Sequence, residues 1–247
     1  MGCRQVMEIT RKKWVLVPGT LCTPEVFEPL LDELAVAHTD RHFITPDAPH
    51  VGDYQDRFRA VKCDGAIVCG FSLGALIVAH NLGALSKSSA VVLLASNPFP
   101  DPRGNRSNRE AVRDRILSGN AREWVIENWT SMSTDHGEEI RELVASMADR
   151  SADLITAQTE LAASRPGAEL DLLETDLPLV FVTGAEDKLT PPEPIVSLAK
   201  KAKSAVLQNL NGLGHFALLE APDRVASALM KGIEEVATSK EDVVENA

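Results

Sequence analysis

Short, unbroken apolar runs recur along this chain, with amphipathic stretches between them. Trp14-Val15-Leu16-Val17, Ala66-Ile67-Val68-Cys69, Ala90-Val91-Val92-Leu93-Leu94-Ala95 and Pro178-Leu179-Val180-Phe181-Val182 have the length and β-branched content of strands. His42-Phe43-Ile44-Thr45 and residues 205–210 read as two more. Their apolar character is continuous rather than alternating, which marks strands buried on both faces, as in a parallel sheet. Residues 24–37 carry Phe27, Leu30, Leu31 and Leu34 at helical spacing, with Pro24 suited to a first turn and Thr23 to an N-cap. A buried helix follows Ser72, and residues 222–236 form a closing helix. Strands alternating with helices predict an α/β fold: a mostly parallel sheet with helices on both faces.

The alternation breaks between Asn97 and Gly167. No strand pattern appears there, only charged helical pattern at about 106–118, 120–132, 137–148 and 151–163. Residues 1–96 and 168–247 are therefore read as the core and 97–167 as a four-helix insertion. Ligands of open α/β sheets bind beyond the carboxyl ends of the strands, so a cap over that edge is favoured above a separate helical domain.

One junction carries chemistry. Gly70-Phe71-Ser72-Leu73-Gly74 lies where the Ala66 run meets the following helix, the layout of a nucleophile elbow, in which a sharp turn lifts the serine hydroxyl out of the backbone. A serine needs a base, and the base an orienting acid. Of six histidines, His215 alone sits in a glycine-bracketed loop between the last strand and last helix, on the edge that holds Ser72. Asp187 follows the Phe181 strand directly and is the better acid; the adjacent Glu186 would project the other way. The developing oxyanion needs donors. The N–H of Leu73 is one, and the loop after the first strand supplies the other, Thr20 first and Leu21 second.

Composition narrows the partners. The chain of 247 residues has a net charge of −11, which disfavours nucleic acid. It has no apolar run of membrane-spanning length and no charged-then-apolar leader, so no membrane association is expected, and a cytoplasmic setting is. Cys3, Cys22, Cys63 and Cys69 form no metal-ligand pairs and are expected as reduced thiols. Neither a metal cluster nor a phosphate loop is present, so no cofactor is expected. A monomer or homodimer is expected.

The order Ser72, Asp187, His215 on alternating strands and helices resembles the α/β-hydrolase superfamily. The resemblance covers nearly the whole chain: Val17-Pro18-Gly19 as the oxyanion loop, Gly70 to Gly74 as the elbow, Gly184 to Asp187 as the acid turn, Gly214-His215 as the histidine loop. Size and insertion look most like the small cytosolic carboxylesterases. Pro18-Gly19 replaces the family's His-Gly, Ala75 replaces a second glycine after the elbow, and only thirteen residues precede Trp14. The resemblance implies the α/β-hydrolase fold with six to eight strands, and a serine hydrolase that cleaves a small carboxylic ester, thioester or related carbonyl substrate through an acyl-enzyme. A carbon–carbon hydrolase or cofactor-free lyase on the same triad is the alternative; a non-catalytic ligand receptor is disfavoured by the complete set of catalytic parts.

Substrate contacts are expected from Leu21, Phe99, Trp124, Trp129 and Phe216. His50 and Cys22 lie on loops that should border the pocket. Arg103, Arg106, Arg109 and Arg113 read as a solvated face, with carboxylate or phosphate recognition as the functional alternative.

Overall fold

The computed structural model describes residue 9 and residues 11–134 and 138–245. Six strands, β1 (Trp14–Val17), β2 (Arg41–Phe43), β3 (Ile67–Phe71), β4 (Ala90–Leu94), β5 (Leu179–Gly184) and β6 (Ala205–Leu210), form one sheet in the order β2-β1-β3-β4-β5-β6. Every neighbouring pair is parallel. The strand count thus falls at the lower end of the expected range.

Parallel strands need crossovers, and helices supply them. In the first half these are α1 (Glu28–Glu33), α2 (Gln55–Val61) and α3 (Leu73–Ala79); in the second, α8 (Glu169–Glu174) and α9 (Glu193–Ala199), while α10 (Ala217–Glu220) and α11 (Pro222–Glu245) follow the last strand. Between β4 and β5 lie α4 (Arg106–Leu117), α5 (Ala121–Met132), α6 (Glu138–Arg150) and α7 (Ile155–Ser164). These four are the helices the pattern predicts.

The continuous apolar runs occupy the middle of the sheet: β1, β3, β4 and β5 are buried along their whole length, while the edge strands β2 and β6 are half-buried. Alternate residues divide between the two faces. Trp14, Leu16, Ile67, Cys69, Phe71, Val92 and Leu94 pack under α1 and α11. Val15, Val17, Val68, Val91, Leu93 and Phe181 pack under α2, α3 and α9. The apolar faces of α5 and α6, with Val125, Met132, Val144 and Met147, join the first cluster rather than forming a core of their own.

Three local expectations change. The stretch 24–37 is a 3₁₀ turn, Pro24–Phe27, followed by α1, because Pro29 has no N–H to donate back to Glu25. Thr23 occupies the leading position, but its hydroxyl donates to Glu25 Oε2 at 2.8 Å and caps no backbone N–H. The closing helix runs on to Glu245. No helix among the described residues is long and apolar enough to cross a membrane.

Candidate active site

The site is assembled where β3 turns into α3. Ser72 has φ 52° and ψ −112°, outside the regions an L-residue favours. Its own N–H donates to Leu94 O at 2.9 Å, which ties the strained residue to β4. The turn closes only with glycine on either side. A Cβ at Gly70 would strike the backbone of Gly74 and Ala75, and one at Gly74 would strike the carbonyl of Val17.

His215 and Asp187 reach Ser72 from the ends of two later strands. His215 Nε2 lies 2.9 Å from Ser72 Oγ, and His215 Nδ1 lies 2.8 Å from Asp187 Oδ2. A carboxylate on Nδ1 calls for the proton there, which leaves the Nε2 lone pair facing the serine hydroxyl. Glu186 takes no part in this line. Asp187 also organises its own turn: Oδ1 accepts the N–H groups of Leu189 at 2.9 Å and Thr190 at 2.8 Å. Burial by itself would raise the Asp187 carboxyl. The charge and hydrogen bond of His215, with the hydroxyl and N–H of Thr190, hold it below the ordinary carboxylate value.

Two contributors to this frame carried no assigned role in the sequence. The Thr190 hydroxyl donates to Asp187 Oδ2 at 2.6 Å; an aspartate three residues before a threonine in a turn is the one local sign of it. Buried Glu220 accepts from Ser133 Oγ, Thr134 Oγ1 and Gly214 N at 2.9, 2.7 and 2.9 Å, and His215 N–H donates to Met132 O at 3.0 Å. The histidine loop is thereby fastened to the end of α5. No sequence pattern announces that link.

Neither the Thr20 N–H, in the loop after β1, nor the Leu73 N–H, at the start of α3, meets an acceptor among the described residues. The Leu21 N–H, by contrast, donates to Gln158 Oε1 of α7 at 3.0 Å. Register places this loop beside the elbow, since Val17 pairs with Gly70. Cys22 borders the same space. Burial pushes its thiol up to about 12, against a smaller opposing pull from the backbone of Gly19, so it stays protonated at neutral pH.

Ser72, His215 and Thr20 open into a cavity of about 370 Å³ roofed by α4 to α7. Leu21, Trp124 and Phe216 line it, and so does Cys22. Phe99 and Trp129 do not. Phe99 packs into the apolar cluster on the other face of the sheet, and Trp129 stacks on the Phe216 ring at 6.1 Å, one layer behind the wall. His50 also lies away from the cavity and caps the turn Val51–Tyr54 instead. The arginine reading needs one correction: Arg109 belongs to the cavity lining and pairs with Asp101 at 2.6 Å, whereas Arg106 pairs with Glu160 on the exposed side. No group of three or more His, Cys, Asp or Glu among the described residues is arranged to hold a metal ion.

A pimeloyl-[acyl-carrier protein] methyl ester esterase of Xanthomonas campestris pv. campestris is 27% identical to this chain over 241 residues, spanning 87% of this chain and 92% of that protein. Among solved structures, a thermophilic esterase from Thermogutta terrifontis superposes with a TM-score of 0.77 at 17% identity, covering 91% of this chain and 90% of its own. A carboxylesterase of Nitrososphaera gargenis gives 0.75 at 13% identity, with 93% of each chain covered. At such identities the two structures establish the fold alone. The sequence also matches the profile of the alpha/beta hydrolase family over residues 14–228, nearly the full span of the sheet and its crossovers. With an all-parallel sheet, a strand-turn-helix serine and a histidine loop after the last strand, the chain belongs to the alpha/beta hydrolase family.

Proposed function

We propose that the protein is a serine hydrolase that cleaves a small carboxylic ester or thioester through an acyl-enzyme. The observation that carries this reading is the unbroken line Ser72 Oγ, His215 Nε2, His215 Nδ1, Asp187 Oδ2, with 2.9 and 2.8 Å between the successive side chains. Ser72 Oγ attacks the carbonyl carbon while His215 Nε2 takes its proton. Asp187 orients the ring and stabilises the imidazolium. The oxyanion is received by the N–H groups of Thr20 and Leu73, the pair not engaged elsewhere. His215 returns the proton to the departing alcohol or thiol, and water, deprotonated by the same ring, releases the acid. Residues 97–167 act as the cap that shapes the acyl and alkyl sites. The ester hydrolases among the similar proteins support this reading over carbon–carbon cleavage, for which no residue in the cavity argues.

The test is turnover of a p-nitrophenyl ester series and labelling by a fluorophosphonate, with wild type and Ser72→Ala compared. Loss of the serine should cost on the order of a millionfold in turnover and abolish labelling. Equal activity in the two proteins would end the hydrolase reading.

A further inference from the structure

One wall of the cavity holds polar groups that ester cleavage does not use. Gln158 of α7 is 1% exposed and lines the cavity. Its amide orientation is fixed, because the oxygen must face the Leu21 N–H that donates to it at 3.0 Å. That leaves Nε2, two donors, without a hydrogen-bond partner among the described residues. A buried unpaired amide is costly, and on a cavity wall it points to an acceptor brought by the ligand.

Ala162, four residues further along α7 on the same side, and Arg165, just past the helix end, also line the cavity. Arg165 and Arg109 share one carboxylate, Asp101, at 3.0 and 2.6 Å. Burial opposes ionisation of Asp101, but the hydrogen bonds and charge of Arg109, the amide of Asn105 and the charge of Arg165 keep its carboxyl below the ordinary value. Two guanidinium groups against one carboxylate leave one positive charge in excess. Arg109 meets Asp101 through Nε and Nη2, so Nη1 stays outside the pair. Among the described residues, the cavity lining contains these two arginines and no Asp, Glu or Lys, within a chain of net charge −11.

We infer that the cavity selects esters bearing a second, ionised carboxylate, received by Arg109 and the Gln158 amide, with Asp101 and Arg165 holding Arg109 in place. The inference rests on the serine-hydrolase reading above. A monoanion matches the single surplus charge, whereas a phosphate monoester, close to a dianion at neutral pH, would overfill it.

The experiment compares kcat/KM for paired esters that differ only in the carboxylate. Mono-4-nitrophenyl adipate against 4-nitrophenyl hexanoate tests the acyl side, and 4-acetoxybenzoate against phenyl acetate tests the leaving-group side. Each pair is run on wild type, Arg109→Gln and Gln158→Glu. Arg109→Gln leaves Arg165 and Asp101 as a balanced pair, and Gln158→Glu keeps an acceptor for Leu21. In one pair, the ratio of charged to neutral ester should fall by about ten- to a hundredfold in both variants, the size expected for a lost charge-assisted contact. Independently of any variant, adipate should inhibit wild type more strongly than hexanoate. Unchanged ratios in both pairs, or an equal loss on charged and neutral esters, would overturn the subsite and make Gln158 and Arg109 structural. If neither ester shows Ser72-dependent turnover, the hydrolase reading itself falls, and this one with it.

Discussion

The hydroxyl of Thr190 donates to Asp187 Oδ2 at 2.6 Å, the same oxygen that His215 Nδ1 meets at 2.8 Å. One carboxylate oxygen thus serves two donors, while the other accepts the backbone of Leu189 and Thr190. Every lone pair of the buried acid that points into the protein is engaged, and the imidazole has one orientation left.

Thr190→Val removes that donor at nearly constant volume. The Asp187 carboxyl should rise toward the ordinary range, and kcat should fall about tenfold with KM little changed. A pH–rate profile checks it: the acidic limb should move to higher pH in the variant. A structural role alone would leave the limb in place.

Asp187→Asn should lower turnover by about 10⁴-fold, because the amide can favour the wrong histidine tautomer, while the fold is retained. Its effect on stability has a defined sign. The folded carboxyl is held below its unfolded value of about 3.9, so its contribution is fully present above that pH and is lost as pH falls through the depressed folded value. The gap in Tm between wild type and Asp187→Asn should be constant from about pH 6 to 8 and narrow below about pH 4. A gap that widened in acid would contradict the assignment.

Glu220→Ala strips the acceptor from Ser133, Thr134 and the Gly214 N–H in one step. Stability should drop by about 2–4 kcal/mol, with a shift of roughly 5–15 °C in Tm. Activity should fall as well, since the His215 loop loses its tie to α5. Glu220→Gln, which keeps one acceptor oxygen, should recover part of both. Differential scanning calorimetry and ester kinetics measure the two effects.

Two glycines give opposite outcomes for the same substitution. Gly74→Ala drives a methyl group into the Val17 carbonyl and should cost more than about 3 kcal/mol or prevent folding. Gly83→Ala meets nothing within 4 Å and should be neutral or stabilise by up to about 1 kcal/mol. Urea unfolding midpoints of the two variants against wild type decide it.

The strands and their parallel arrangement were readable from the chain because burial on both sides removes polar residues from β1, β3, β4 and β5, whereas their order in the sheet was not. The line of Ser72, Asp187 and His215 was readable for a related reason. Parallel strands put the loops that follow them on one edge, so a residue's place after a strand is already a statement about its neighbours. The elbow glycines obey local sterics, and a five-residue pattern is enough to show them.

The cavity wall was not readable. Arg109 sits in charged helical sequence that, taken alone, describes a solvated face, Gln158 and Arg165 carry no pattern of their own, and only the docking of α4 and α7 over the sheet edge turns these side chains inward. The proposed assignment of Thr20 rather than Leu21 as oxyanion donor has the same origin: the Leu21 N–H is occupied by a glutamine 137 residues away. Local pattern determined how this protein holds its serine, histidine and aspartate, because each answers to the backbone around it. What surrounds the substrate was decided only by the tertiary structure, because burial of a polar side chain depends on which distant surface closes over it.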